Sequence, residues 1–205
     1  MAKKEKVTEI ICVIDKSGSM DCVKDDVIGG FNNFIDEQKK LKDIANLTLT
    51  LFDTNYEIIN KSKDIKTIDK LDNKTYCPGG CTALLDAVGK SIDEVSKGIE
   101  LDKKGKVKQK ILMVIATDGQ ENSSKEYKKQ QIVDKIKEKK EQGWEFVFLG
   151  ANETAFSEAN NIGMSGCFTQ GYATGTSIGT QSLYRDMSNI TSCYRSTGKI
   201  DKDIK

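Results

Sequence analysis

Ile10-Ile11-Cys12-Val13-Ile14-Asp15-Lys16-Ser17-Gly18-Ser19-Met20 is the stretch on which the fold of this chain turns. An unbroken, mostly β-branched apolar run suits a strand covered on both faces, as in a parallel sheet. It stops at a carboxylate, and two hydroxyls follow at alternate positions. In an extended loop alternate side chains point the same way, so Asp15, Ser17 and Ser19 can offer their oxygens to one side.

Working outward, Val7 to Ile14 reads as the strand itself. After the polar loop, Val23, Val27, Ile28, Phe31, Phe34 and Ile35 recur at helical spacing, which predicts a helix over about Cys22 to Lys40. Gly29-Gly30 falls inside it at a cost of roughly 1 kcal/mol per glycine, so close packing is expected there. Leu47 to Phe52 alternates as a second strand, and Tyr56-Glu57-Ile58-Ile59 returns as an antiparallel edge strand in a hairpin. Asp64 is placed to cap a short helix carrying Ile65, Ile68 and Leu71.

The loop Tyr76-Cys77-Pro78-Gly79-Gly80-Cys81-Thr82 follows, and a helix from Ala83 carries Leu84, Leu85, Val88, Ile92 and Val95. A third buried strand, Ile111 to Ala116, ends in Thr117-Asp118-Gly119, so an apolar run again stops at a carboxylate. Tyr127 to Glu141 reads as a helix ended by Gly143, Trp144 to Leu149 as a strand, and Ala155 to Asn160 as one or two helical turns. Cys167-Phe168 begins a last edge strand. Leu183, Met187, Ile190 and Tyr194 mark one stripe of a closing helix. Strands alternating with helices predict an α/β, Rossmann-like three-layer sandwich. Its central sheet is mostly parallel with one antiparallel edge strand, helices cover both faces, and ligands sit beyond the strands' C-terminal ends.

A chain of 205 residues fits one medium domain. We expect that domain over residues 1–198 and a flexible tail over 199–205. Charged residues at 31% and hydrophobic residues at 37% describe a soluble chain. No stretch approaches the roughly 18 consecutive apolar residues of a membrane span. The segment Met1-Ala2-Lys3-Lys4-Glu5-Lys6 has no apolar signal region, so a cytoplasmic location with reduced thiols is expected for the six cysteines. A net charge of +1 argues against a sequence-independent grip on nucleic acid. The basic cluster Lys103-Lys104-Gly105-Lys106-Val107-Lys108 reads as a solvated loop, with an anionic contact as the other reading.

The chain has no histidine, which removes every Ser-His, Cys-His and histidine-base mechanism. With Cys77 and Cys81 as the one close cysteine pair, it also argues against a zinc site. Gly89-Lys90-Ser91 imitates the end of a P-loop, but the glycine required earlier is Leu84. No Gly-x-Gly-x-x-Gly follows the first strand.

Three oxygen-rich loops remain: Asp15/Ser17/Ser19, Thr82 and Asp118. Hard oxygen donors without nitrogen or sulfur suit Mg²⁺ or Mn²⁺. Each loop also has a local reading. Ser17 and Ser19 can serve backbone donors at the start of the following helix, Thr82 can be an N-cap, and Asp118-Gly119 is a turn pair. Their occurrence together, in this order on an alternating α/β pattern, favours one shared site.

Asp15-Lys16-Ser17-Gly18-Ser19, Gly79-Gly80-Cys81-Thr82-Ala83-Leu84 and Ala116-Thr117-Asp118-Gly119 together resemble the von Willebrand factor A (VWA) domain, over about Val7 to Tyr194. The ending from Ser182 to Arg195 is most similar to stand-alone members from bacteria and their phages. The resemblance implies a metal-ion-dependent adhesion site. In it Ser17, Ser19 and Thr82 would coordinate Mg²⁺ (or Mn²⁺, with Ca²⁺ as a further option), while Asp15 and Asp118 act mainly through bound water. Cys81 departs from the common pattern and reads as an incidental small residue, with redox sensitivity as the other reading.

The expected role is therefore a protein-protein interaction module, not an enzyme. Its partner would be a protein presenting an Asp or Glu to the metal, with no nucleic acid and no membrane involved. The oligomeric state is left open. Two alternatives stand beside this expectation. A haloacid-dehalogenase-like phosphatase would use Asp15 as nucleophile, although the second Asp it needs is Ser17 here. A structural subunit of a phage or bacterial assembly would use the same site toward a neighbour.

Overall fold

In the computed structural model, residues 7–101, 103–151, 154–165, 167–173 and 175–200 are described. The apolar run quoted above is strand β1 (Thr8–Asp15), buried along its whole length. β1 lies at the centre of a six-stranded sheet with β2 (Ala45–Phe52), β3 (Tyr56–Asp64), β4 (Lys110–Ala116), β5 (Glu145–Ala151) and β6 (Phe168–Tyr172). The strand order is β3-β2-β1-β4-β5-β6. All neighbours pair in parallel except β2 and β3, which form the antiparallel hairpin.

This is the predicted sandwich. One face of the sheet, including Ile10, Cys12 and Ile14, packs against helices α1 (Lys24–Lys40) and α5 (Ser177–Thr197). The other face, including Ile11 and Val13, packs against α2 (Leu84–Ser96), α3 (Lys129–Gln142) and α4 (Thr154–Asn161). Burial on both faces is why β1 and β4 read as continuous apolar runs. The chain passes from β1 to β2 on one side and places β4 on the other. The order reverses there, so a crevice opens between the C-terminal ends of β1 and β4.

The structure corrects several local expectations. The predicted helix from Cys22 begins as a 3-10 segment, Gly18–Val23, and becomes α-helical only at Lys24. Of the two glycines in α1, only Gly30 answers to close packing: a Cβ there would lie 2.5 Å from the Tyr184 ring, whereas one at Gly29 meets nothing within 4 Å. Asp64 does cap, accepting from the Lys66 amide at 3.0 Å, but the turn ends after Ile65–Thr67. Ile68 and Leu71 are buried beyond it.

Helix α3 starts at Lys129 and stops at Gly143, whose φ of 103° ends it in the left-handed region. The stripe on α5 includes Tyr184 as well as Met187, Ile190 and Tyr194. Near its end the fully buried Arg195 donates to the Gln38 carbonyl at 2.7 Å and pairs with Asp43 at 3.0 Å. No helix among the described residues is long and apolar enough to cross a membrane. Of the expected tail, residues 201–205 lie outside the described residues.

Candidate metal centre

The five predicted residues come from three loops at the crevice. Asp15 is the last residue of β1 and is fully buried. Its Oδ1 accepts from the Ser17 amide at 2.6 Å, and its Oδ2 accepts from the Thr117 hydroxyl at 2.5 Å. The Ser17 and Ser19 hydroxyls lie 3.2 Å apart, and Ser19 donates to Asp118 Oδ1 at 2.7 Å. Asp15, Ser17, Ser19 and Asp118 are thus joined through one another. Thr82 closes the group from another side: a Cβ on Gly119 would stand 2.7 Å from its Oγ1 and 3.6 Å from Asp15 Oδ2.

None of the local readings of these hydroxyls describes what they do. Ser17 precedes the 3-10 segment, yet its side chain makes no cap bond. Thr82 lies one residue outside the N-cap of α2, which is Ala83. The amides opening α2 are met from the segment after β4 instead: Leu85 donates to Glu121 Oε2 at 2.9 Å and Asp86 to the Ser124 hydroxyl at 3.1 Å. The Asp86 carboxylate in turn accepts from the amides of Lys125, Glu126 and Tyr127.

Backbone contacts hold the loops in register. The Gly18 amide donates to the Gly80 carbonyl at 3.1 Å, and the Gly79 amide to the Lys16 carbonyl at 2.9 Å. Gly80 has a φ of +70°, and a Cβ on it would come within 2.7 Å of the Thr54 hydroxyl. Glycine is required there on both counts. Beneath, the buried Tyr76 hydroxyl donates to the Asp15 carbonyl at 2.7 Å. Burial raises the Tyr76 phenol, so it stays a donor.

Burial also pushes Asp15 up to about 6, with the charge of Asp118 adding to the rise and hydrogen bonds from Thr117 and Ser17 opposing it. The donors that Asp15 has are neutral, and the basic side chain of neighbouring Lys16 is turned to Asp53, at 3.2 Å. A buried carboxylate with neutral donors and a second carboxylate close by is a place that a cation relieves. Every donor in the group is oxygen, and the gap that Gly119 leaves clear beside Thr82 is the one a methyl would fill. The residues therefore fit a hard divalent ion.

Ser19 is exposed and Asp118 half-buried, so the group opens to solvent on that side, while Ser17 and Thr82 are buried. Among the described residues no group of three His, Cys, Asp or Glu side chains forms a metal cluster. The six cysteines are free thiols, and Cys81 is exposed. The P-loop imitation Gly89-Lys90-Ser91 lies within α2, with Ser91 buried against Thr50 at 2.9 Å. The sequence does not show the roles of Thr117, Asn122, Glu121 and Tyr76 here, because the partners that matter, Asp15, Thr82, Leu85 and again Asp15, lie far along the chain.

No protein-family model matches the sequence, and no curated protein matches it. Solved structures do match in fold. A von Willebrand factor type A protein from Catenulispora acidiphila superposes with a TM-score of 0.60 at 12% identity, over 91% of this chain and 43% of that one. Proximal thread matrix protein 1 from the mussel byssus, in a form with a zinc-occupied MIDAS motif, gives 0.61 at 15% identity, over 91% and 46%. The PilB minor pilin from Streptococcus sanguinis gives 0.61 at 14%, over 96% and 63%. The chain has a VWA-like fold, and it spans less than two thirds of the length of each of these proteins.

Proposed function

We propose that this protein is a metal-dependent protein-binding module. Ser17, Ser19 and Thr82 hold a divalent cation directly, Mg²⁺ or Mn²⁺ before Ca²⁺, and Asp15 and Asp118 act mainly through water. The observation that carries this reading is the convergence of five oxygen-bearing side chains from three loops at the sheet's switch point, with their hydroxyls turned away from helix capping. That a protein of the same fold holds zinc in such a motif supports it.

Neutral hydroxyl ligands leave the ion most of its charge, and the opening at Ser19 and Asp118 leaves one side accessible. An Asp or Glu side chain from another protein is the ligand such a centre attracts, through a charge-assisted contact whose specificity comes from the surrounding loops. The chain's own residues orient the site and shield its buried side. The cation supplies the attraction when bound.

Both Asp15 oxygens already accept hydrogen bonds, and the side chain is fully buried, an arrangement that favours holding over nucleophilic attack. We propose a binding role without catalysis, a reading this arrangement supports. We propose a cytoplasmic location, where the chain's six cysteines would stay reduced. The test is a Mn²⁺ titration together with partner capture from the native host in Mg²⁺ and in chelator. Wild type should bind Mn²⁺ and capture its partner only with the ion, and Asp118→Ala should lose both. Equal Mn²⁺ affinity and capture by Asp118→Ala would overturn the reading.

A further inference from the structure

We propose that Asn122 is a positioning residue for the cation site: it aims the Thr82 hydroxyl by gripping the Thr82 backbone. The inference rests on the function proposed above and names the part of the chain that tunes it.

Thr82 is held at two points. Its amide donates to Asn122 Oδ1 at 2.9 Å, and its carbonyl accepts from the Asn122 amide at 3.0 Å. These bonds fix the peptide planes on both sides of the Thr82 Cα, and with them the direction of its Cβ. They serve no helix-capping purpose, because Glu121 and Ser124 already meet the first amides of α2. Neighbouring amides have other partners as well, Cys81 on the Thr54 hydroxyl and Ala83 on the Asp53 carbonyl. The entry to α2 is thus fixed at the amides of Cys81, Thr82, Ala83, Leu85 and Asp86, and the share that falls to Asn122 is the residue whose hydroxyl faces the site.

Asn122 is itself anchored. On one side, Glu121 accepts from the Ser123 and Ser124 amides at 3.0 and 2.8 Å. On the other, Asp86 accepts from three amides that follow. The same segment carries Asp118, which accepts from Ser19 at the open edge, and Gly119, which lies against the Thr82 hydroxyl. One stretch after β4 therefore supplies a carboxylate and also sets a hydroxyl on the loop that leads into α2. Partners beyond the direct ligands of a metal site typically change affinity by about 10–100-fold when removed.

The experiment is a Mn²⁺ titration of wild type, Asn122→Ala and Asn122→Asp, with thermal melts in chelator run in parallel. Asn122→Ala should bind Mn²⁺ at least about tenfold more weakly, beyond what any change in its chelator melt accounts for. Asn122→Asp, which keeps the acceptor oxygen, should recover the affinity to within about threefold, half a decade or roughly 0.7 kcal/mol. Should Asn122→Ala fail to fold, Asn122→Ser, polar but too short to reach, takes its place under the same criteria.

Wild-type affinity in Asn122→Ala, or loss in Asn122→Asp equal to that in Asn122→Ala, would overturn the positioning role alone. Absence of Mn²⁺ binding in wild type would overturn the proposed function, and this inference with it.

Discussion

The Thr117 hydroxyl donates to Asp15 Oδ2 at 2.5 Å and accepts from the Gly119 amide at 3.1 Å, tying the end of β4 to the end of β1. Hydrogen bonds to charged groups contribute about 1.5–3 kcal/mol. Thr117→Val keeps the shape and removes the donor. It should lower unfolding stability in chelator by about 2 kcal/mol, read from urea denaturation.

Gly119→Ala adds a methyl at the gap beside Thr82 Oγ1, where the contact would be 2.7 Å. Relief requires Thr82 to turn its hydroxyl away. Mn²⁺ affinity should fall by about tenfold or more, while far-UV circular dichroism in chelator stays that of wild type. Unchanged Mn²⁺ affinity would show that Thr82 takes no part in the site.

The two glycines of α1 should respond with opposite signs. Gly30→Ala drives a Cβ to 2.5 Å from the Tyr184 ring and should destabilise by about 1–3 kcal/mol. Gly29→Ala enters open space on an exposed helical position and should stabilise by roughly 1 kcal/mol. Paired denaturant curves decide both.

Arg195 is buried at the end of α5, bonded to Gln38 and Asp43. The Asp43 side chain is 33% exposed and can turn to water, so Arg195→Ala chiefly leaves the buried Gln38 carbonyl without its donor. The loss should be about 1–3 kcal/mol, seen as a lower urea midpoint. Arg195→Met should cost less, because its chain refills the space.

Glu9 lies at the far end of β1 from the crevice, accepting from Ser62 at 2.7 Å and Thr48 at 3.1 Å. Burial raises its pKa above the ordinary 4.5, against the pull of those hydrogen bonds. The folded state then holds this proton more tightly than the unfolded chain. The Glu9 contribution to stability is therefore greatest below the unfolded pKa, and it is lost as pH rises from there through the folded one. Glu9→Gln should remove that loss, stabilise the protein at neutral pH, and flatten its stability between mildly acidic and neutral pH. Parallel stability-pH curves for wild type and Glu9→Gln that keep the same slope would exclude Glu9 as its source.

The sheet was legible because burial on both faces leaves β1 and β4 no alternation to hide in. The hydroxyl motif was legible because it sits where β1 stops. Two kinds of feature were not. The 3-10 entry to α1 has the same apolar spacing as a helix starting at Cys22, so the pattern cannot separate them. The grip on Thr82 is a long-range fact: sequence offers Thr82 as a local cap, while the amides that open α2 find Glu121 and Ser124 only after β4 is in place. Thr117 beside Asp15 was invisible for the same reason, since the two are 102 positions apart. The pairing of Gly30 with Tyr184 left only the hint of a costly glycine.

That separation along the chain has a kinetic consequence. The Asp15 loop and the first helix leave the ribosome long before the segment that completes the centre, and non-local pairings form late because their loops must close first. A nascent chain ending before β4 would have neither Asp118 nor the anchors for α2. Capture of Mn²⁺ during refolding should therefore lag the appearance of helix, making the ion a stopwatch for the last joining of the two halves of the sheet.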